Sequence, residues 1–233
     1  MSASDSGTLT LGLPPSLCLR FALPIVMAVQ RQLPGVRLHV VEALGHTLRN
    51  AVNRGEVDLG LVFLGGQLQA GDWERVLTDR LFFVTAKASL SHQPMHQGPV
   101  NPPSEISLEE ALMQPLALPA PEDSLRECVD GAARNQGLTP SFVYQVQSVG
   151  MTLSLVEAGL ASTFVPISVV HANAQRENLA VMRIHSPALL RDLVWIESTQ
   201  EARMVLRRKV KQVVQSAMAE LASDPVFKGA YLF

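Results

Sequence analysis

The sequence predicts an α/β protein built from two lobes, and three features of its 233 residues support this prediction. Strand-like and helix-like segments alternate over residues 8–64, a pattern that is typical of a doubly wound parallel sheet. The stretch 89–105 is rich in Pro, His, Gln and Ser, which indicates a loop or linker at a lobe boundary. The alternation restarts after this stretch, so a second lobe of the same architecture is the simplest interpretation.

The elements of the first lobe follow from hydrophobic period and from the residues that end each segment. Residues 8–13 alternate as a strand that stops at Pro14-Pro15, and an apolar helical stripe follows from Leu17 to Leu33. Ser16 is a suitable N-cap residue for this helix, which Pro34-Gly35 ends. Further along we predict a strand over 36–42, a short helix through 48–52 closed by Gly55, and strands over 58–64 and 81–86.

The second half repeats this alternation with shorter elements. We predict a helix over 107–113, a strand over 116–118, a helix over 123–136, a strand over 142–146, a helix that Ser148 caps and Gly159 ends, and a strand over 161–165. The C-terminal part predicts strands over 179–184 and 193–196. It ends in an amphipathic helix over 201–222, in which the apolar residues recur at helical spacing.

Composition excludes several classes of protein. Lys and Arg number 19 against 21 Asp and Glu, so the chain lacks the basic field that drives non-specific nucleic-acid binding. Cys18 and Cys128 stand far apart, which favours a reducing compartment over a disulfide scaffold. No apolar run is long enough to cross a bilayer, and residues 1–7 show no secretory signal pattern. We therefore expect a soluble, cytoplasmic protein with no membrane partner.

No catalytic, nucleotide or metal motif stands out. The chain has no nucleophile elbow, Walker loop or dinucleotide fingerprint, and Gly65-Gly66 is best explained as a turn. His92 and His96 have a spacing that suits zinc on a helix, but Pro94 between them argues against one. The basic run 203–211 is typical of a solvated helix face. Acid–base catalysis would need a positioned carboxylate, and the three candidates have no evident partner, namely Glu42, Asp58 and Glu157. We expect no enzyme activity and no cofactor.

Three serines at predicted helix starts are the candidate binding residues. Ser16, Ser124 and Ser148 each lie at or just inside the first turn of a helix that follows a strand. In open α/β sheets such turns line the ligand crevice, and helix N-termini attract anions. The alternative is that each serine only caps its helix, which contributes about 1 kcal/mol. Their joint occurrence in both lobes favours binding.

Several segments resemble the effector-binding domain of LysR-type transcriptional regulators. Residues 8–42 carry Gly-Leu-Pro-Pro-Ser at 12–16, and residues 55–62 are similar to the family's Gly-x-x-Asp-Leu strand. Residues 153–161, which lead to Val165-Pro166, resemble its Leu-Val-Ala-Ala-Gly-Leu-Gly signature. Leu77 to Val84 and Arg191 to Ile196 fit as strands at the lobe crossings. The likeness spans roughly residues 8–223.

This resemblance implies a type II periplasmic-binding-protein-like fold, with two Rossmann-like lobes, two crossings and a small-molecule cleft. Lobe I would comprise 8–87 and 190–223, lobe II would comprise 88–189, and 1–7 and 224–233 would be tails. Family members carry a winged helix-turn-helix before this domain. The resemblance therefore implies a domain that senses a small effector and forms a homodimer or homotetramer, with DNA contacted only through the preceding domain.

The family's effector contacts map onto eight positions of this sequence. They are Ser16, Leu17, Phe63, Ser124, Leu125, Gln147, Ser148 and Val149. The serines suggest a polar or anionic effector, and the apolar members suggest an apolar part of it. Two departures from the family are the long stretch 89–105, which could cover the cleft or touch a partner, and Ala161 in place of the second glycine.

Two rival functions stay open at this point. A solute-binding protein of a transporter uses the same fold but needs export, and the sequence shows no signal for it. An enzyme on this fold would need a catalytic constellation in the cleft, which the sequence does not reveal. A sensor would bias a conformational equilibrium through the effector's differential affinity for two states.

Overall fold

A computed structural model describes residues 6–65, 74–90, 104–173, 177–224 and 231–232. The strands in chain order are β1 (Ser6–Leu13), β2 (Gly35–Glu42), β3 (Leu59–Leu64), β4 (Arg75–Ala86), β5 (Glu105–Ser107), β6 (Leu116–Leu118), β7 (Phe142–Gln145), β8 (Thr163–Pro166), β9 (Leu179–His185), β10 (Leu190–Glu197) and β11 (Tyr231–Leu232). The α-helices are α1 (Pro15–Gln32), α2 (Gly45–Asn53), α3 (Lys87–Leu90), α4 (Leu108–Leu112), α5 (Ser124–Asn135), α6 (Val149–Glu157), α7 (Ile167–Ala172) and α8 (Met204–Ala222).

The chain forms two compact units. Unit 1 comprises Met1–Leu64, Leu68–Thr78 and Asp192–Phe233, and unit 2 comprises Gly65–Gln67 and Asp79–Arg191. The chain therefore passes between the units within β4 and within β10. The lobe limits predicted at 87/88 and 189/190 stay predictions.

Unit 1 is a mainly parallel sheet with the strand order β2-β1-β3-β10. β1 runs parallel to β2 and to β3, and β10 pairs antiparallel with β3. Parallel neighbours need crossover connections, which α1 and α2 provide. Leu9, Leu11 and Leu13 of β1 are fully buried, as are Phe21 and Ile25 of α1.

A buried carboxylate ties three parts of unit 1 together. Asp58 is 2% exposed, and its Oδ2 accepts a hydrogen bond from the Thr10 backbone N–H at 2.8 Å. Arg203 Nη1 lies 3.1 Å from Oδ1 and 2.9 Å from Oδ2. The Asp58 backbone carbonyl also accepts from the Ser198 N–H. No partner for Asp58 is evident from the sequence, and these contacts assign it a structural role.

Unit 2 has a hydrophobic core of its own. β4 pairs antiparallel with β8 and β9, and β5 runs parallel to β9. β6 and β7 form a separate parallel pair. Phe83 and Phe164 meet edge to face with their ring centroids 5.6 Å apart. Ala161, which replaces the family's second glycine, is buried against Ala117 and Leu155.

Most of the predicted elements are confirmed, and the differences have local causes. β4 starts at Arg75, six residues before the start predicted from the apolar run and two before the Leu77 that the family resemblance implied, and its polar residues Thr78 and Asp79 find partners within the strand region. α7 was not predicted, since its sequence is rich in β-branched residues that favour strands. Glu201–Arg203 form a 3₁₀ turn, and α8 begins at Met204.

The predicted loop at 89–105 is shorter at both ends than the sequence suggested. Ser89 lies in α3 and Glu105 lies in β5. Residues 91–103, which include His92 and His96, lie outside the described residues. The predicted loop over these residues and the predicted absence of a zinc site at the two histidines therefore stay predictions. Gly55 and Gly159 were predicted to end helices, and both adopt the left-handed conformation with φ of 72° and 71°.

Candidate functional site

The start of α1 differs in detail from the prediction. Pro14 is the N-cap residue and makes no side-chain cap, while Ser16 is the second residue of the helix. The N–H groups of Leu17 and Cys18 both donate to the Pro14 carbonyl, at 3.0 and 3.1 Å. Proline is favoured at a first turn because its fixed φ suits the helix and no N–H is lost. Ser16 is partly exposed and lies just inside the first turn, which is one of the two positions predicted for it. The other position, the N-cap, is occupied by Pro14.

The apolar candidates of unit 1 are buried. Leu17 is 1% exposed and Phe63, near the carboxyl end of β3, is 4% exposed. Because both side chains are buried, an effector could contact only a small part of each side chain or the backbone. The first turn of α1 contains no acidic residue, and this leaves the positive end of the helix dipole uncompensated by its own carboxylates.

The start of α5 carries its own carboxylate. Asp123 is the N-cap residue, and its Oδ1 accepts from the Leu125 N–H at 2.8 Å. Ser124 is the first residue of the helix and is partly exposed. Leu125 is partly buried against the core of unit 2. Because Asp123 performs the capping, the Ser124 hydroxyl is not needed for it.

The start of α6 confirms the predicted cap. Ser148 is the N-cap residue, and its Oγ accepts from the Met151 N–H at 3.3 Å. Gln147 and Ser148 are exposed, while Val149 packs against the core of unit 2. As in α1, the first turn has no acidic residue. An exposed amide and a hydroxyl thus stand at a helix N-terminus that suits a polar or negatively charged group.

A buried arginine that the sequence did not single out lies beside Ser124. Arg191 is 4% exposed, and its Nη2 donates to Asp79 Oδ2 at 2.8 Å. Its Nη1 lies 3.5 Å from Ser124 Oγ. Burial raises the pKa of Asp79 to about 6, against the opposing effect of the Arg191 charge and hydrogen bond. A signal was present, since Asp79-Arg80 and Arg191-Asp192 place opposite charges inside otherwise apolar strands.

The two cysteines are unsuited to thiolate chemistry. Burial, with a further contribution from Glu42, raises the pKa of Cys18 to about 12. Burial also raises the pKa of Cys128. Both thiols are therefore protonated at neutral pH, and a protonated thiol is a poor nucleophile and metal ligand.

The described part of the chain also bears on metals and membranes. Within it, no group of three or more His, Cys, Asp or Glu side chains is placed to hold a metal ion. Over the same residues, the helices are too short or too polar to span a bilayer.

Two α/β units that are connected through β4 and β10 have the architecture of the type II periplasmic-binding-protein-like fold. The family model described as the LysR substrate binding domain matches residues 2–219. The chain belongs to this family, whose members are transcriptional regulators and not enzymes.

Individual relatives agree with this assignment. The nitrogen assimilation regulatory protein nac of Klebsiella aerogenes is 19% identical over 214 residues, which cover 91% of this chain and 66% of the relative. The HTH-type transcriptional regulator AlsR of Bacillus subtilis (strain 168) is 23% identical over 171 residues, which cover 70% and 52%. The chain thus spans between half and two thirds of the length of these relatives.

A solved structure shows the same fold at low sequence identity. The reduced form of the regulatory domain of OxyR2 from Vibrio vulnificus superposes with a TM-score of 0.73 at 19% identity. The match covers 93% of this chain and 98% of that domain.

Proposed function

We propose that this domain binds a small polar or anionic effector and thereby controls DNA binding and transcription by a DNA-binding domain of the full-length regulator. The proposed contacts are Ser16, Leu17 and Phe63 from unit 1 and Ser124, Leu125, Gln147, Ser148 and Val149 from unit 2. The observation that carries the proposal is that both units place serine hydroxyls at helix starts directly after strands or their turns.

The chemistry of these helix starts favours an effector with oxygen acceptors. α1 and α6 have no acidic residue in their first turns, so their N-terminal dipoles add a positive potential. The exposed Gln147 amide can donate to the same ligand. The half-buried Leu125 and Val149 offer apolar surface to the rest of it. We infer that the effector carries at least one carboxylate, sulfonate or phosphate group beside a small apolar part.

Membership of a family of transcriptional regulators argues against the two rival functions, the transporter solute-binding protein and the enzyme. The discriminating measurement is whether a bound ligand is released unchanged. A sensor returns its ligand intact, whereas an enzyme converts it.

The test is a ligand screen followed by matched variants. Small carboxylates, sulfonates, phosphates and their neutral amides are screened by thermal shift, and hits are measured by calorimetry. Ser124→Ala and Ser148→Ala should each weaken a hit about fivefold or more, since each removes a hydrogen bond worth about 1 kcal/mol. Ser154→Ala is the control, because this exposed hydroxyl on α6 bonds only to the Gly150 carbonyl.

Two results would contradict the proposal. One is a ligand whose affinity responds to none of the serine variants at the helix starts. The other is chemical conversion of the ligand by the purified protein, which would reassign the domain to an enzyme.

We further propose that α1 forms a homodimer contact with a second copy of this chain. Leu19, Leu23 and Met27 recur every four residues on one face and are 48%, 69% and 58% exposed. Such a stripe of large apolar residues is unusual on a monomer surface and is typical of an interface. The neighbouring Val40 and Val41 of β2 are also exposed.

Charge placed on this face should dissociate the dimer. Leu23→Glu should shift the sedimentation coefficient from dimer to monomer at micromolar concentration, because a buried carboxylate without a partner is costly. Gln32→Glu, near the opposite face of α1, is the matched control and should leave the dimer intact. A dimer that survives Leu23→Glu would show that the contact lies elsewhere.

A further inference from the structure

Arg191 has a contact that its ion pair does not require. Its guanidinium donates through Nη2 to Asp79 Oδ2 at 2.8 Å, and its Nη1 lies 3.5 Å from Ser124 Oγ. A guanidinium that served only Asp79 would be expected to bind both carboxylate oxygens in a two-bond fork. Here one of its amino groups reaches a partly exposed hydroxyl instead.

The carboxylate is also incompletely satisfied. Among the described residues, Asp79 Oδ1 accepts no hydrogen bond, although Asp79 is 1% exposed. A buried ion pair is weak evidence for stability even when it is fully bonded, because desolvation offsets the attraction. The pair therefore needs an explanation beyond its contribution to stability, and a role in binding is one that accounts for an unsatisfied buried group.

Ser124 is oriented by this arrangement. Asp123 caps α5, so the Ser124 hydroxyl has no capping role. When Arg191 Nη1 donates toward Oγ, one lone pair of the hydroxyl is engaged and its proton is directed toward another acceptor. The two groups together form a pair of donors for an oxygen atom.

We propose that Arg191 is a specificity-determining residue of the effector site, where it and Ser124 bind an oxyanion of the effector while Asp79 serves as the internal counter-ion. This inference rests on the proposed function and adds to it the residue that selects the negative charge. The oxyanion replaces the long contact between Arg191 and Ser124 with shorter, charge-assisted hydrogen bonds.

Nearby charges set the strength of the site. Asp123 and Glu127 on α5 oppose an anion, but they are partly or fully exposed and water screens them. Asp79 on β4 is buried and acts at full strength. Cys128 on α5 faces the same pair and is neutral, since burial raises its pKa. The main control of anion affinity is therefore the charge state of Asp79.

This control predicts a pH profile. Because the pKa of Asp79 is raised to about 6, the carboxyl gains a proton as the pH falls from 7.5 to 5.5. The cluster then changes from a neutral pair to a net cation, and anion affinity should rise. Sulfate is a suitable probe because it keeps its charge over this interval.

The experiment is a sulfate titration followed by the backbone amide shifts of Ser124 and Leu125, at constant ionic strength. In the unmodified domain the affinity should rise about fivefold from pH 7.5 to pH 5.5. Asp79→Asn should show the higher affinity at both pH values. Asp79→Asn combined with Arg191→Gln keeps the buried pair neutral, and should weaken binding about tenfold. Arg134→Gln, an exposed cation at the other end of α5, is the matched control and should change nothing.

The outcomes separate this inference from the proposed function. If sulfate shifts Ser124 equally in all variants, with the same pH profile, Arg191 does not select charge and the inference is overturned while the site stands. If sulfate leaves Ser124 and Leu125 unshifted in every variant, the oxyanion assignment is also overturned. The ligand screen described above would still decide the proposed function independently.

Discussion

Two buried carboxylates, one in each unit, differ in the hydrogen bonds that they accept. Asp58 in unit 1 accepts from the Thr10 N–H and from Arg203, so both of its oxygens are bonded. Asp79 in unit 2 accepts a single bond from Arg191, and no described group donates to its Oδ1. The two aspartates are equally buried, and they differ in how completely their hydrogen-bonding capacity is used.

This difference is the basis for assigning Asp58 a structural role and for proposing a ligand-binding role for Asp79 and Arg191. Asp58 joins β1, the start of β3 and the turn before α8, and its arginine is half exposed at 47%. Asp79 and Arg191 lie where the chain enters and leaves unit 2. Their hydrogen bonds reach one partly exposed serine of the candidate site. The complete hydrogen bonding of Asp58 suits a residue that maintains the fold, and the incomplete hydrogen bonding of Asp79 beside a partly exposed hydroxyl is the basis of the binding role that we propose.

The largest effect should come from removing the structural carboxylate. Asp58→Ala leaves the Thr10 N–H unpaired and abolishes the contact to Arg203, so we expect a loss of about 3–4 kcal/mol in the free energy of unfolding. Urea denaturation measures this. Glu56→Gln breaks an exposed pair with Arg54 and serves as the control, with no measurable change. A small effect of Asp58→Ala would remove the contrast with Asp79.

The second prediction concerns the pH dependence of stability. The pKa of Asp79 is raised from 3.8 to about 6 on folding, so the folded state binds more protons than the unfolded state between these values. The contribution of Asp79 to stability is therefore present at low pH and is lost as the pH rises through this interval. The shift corresponds to about 2–3 kcal/mol.

Urea denaturation at pH 4.5 and pH 7 would measure that contribution. The free energy of unfolding of the unmodified domain, minus that of Asp79→Asn, should fall with rising pH by up to this amount. A difference that stays constant or grows with pH would show that Asp79 is ionised throughout, and would equate it with an ordinary paired carboxylate.

The third and smallest effect concerns two serines, of which one caps its helix and the other does not. Ser148→Ala removes a helix cap and should cost about 1 kcal/mol of unfolding free energy. Ser124→Ala should cost a few tenths at most, since Asp123 caps α5. Urea denaturation again provides the measurement. Equal losses in the two variants would show that Ser124 stabilises the fold as Ser148 does.

Sequence patterns predicted most of the fold because the signals were local. The hydrophobic period, Pro14-Pro15 and the glycines at 55 and 159 marked elements that the structure confirms within a few residues. The helix α7 was not predicted because its β-branched residues favour a strand. The apolar pattern did not predict the start of β4 because polar residues interrupt it there, whereas the family resemblance implied a strand from Leu77.

The candidate site was predicted less completely for a physical reason. Ser16, Ser124 and Ser148 were found because a helix start is visible in the local sequence. Arg191 was missed because its partner Asp79 lies 112 positions away, and only folding brings the two side chains within 2.8 Å. The opposite charges in both strands were visible, but their pairing was not.

The most direct test of this account is a pH titration of the Asp79 side-chain carboxyl by carbon-13 NMR, with and without sulfate. Since binding effects are reciprocal, an anion that prefers the protonated form must also raise the pKa of that carboxyl. We predict a midpoint near pH 6 without sulfate and a higher midpoint with it. A midpoint that sulfate does not move, or a carboxyl that stays ionised down to pH 4, would contradict the role assigned to Asp79 and Arg191.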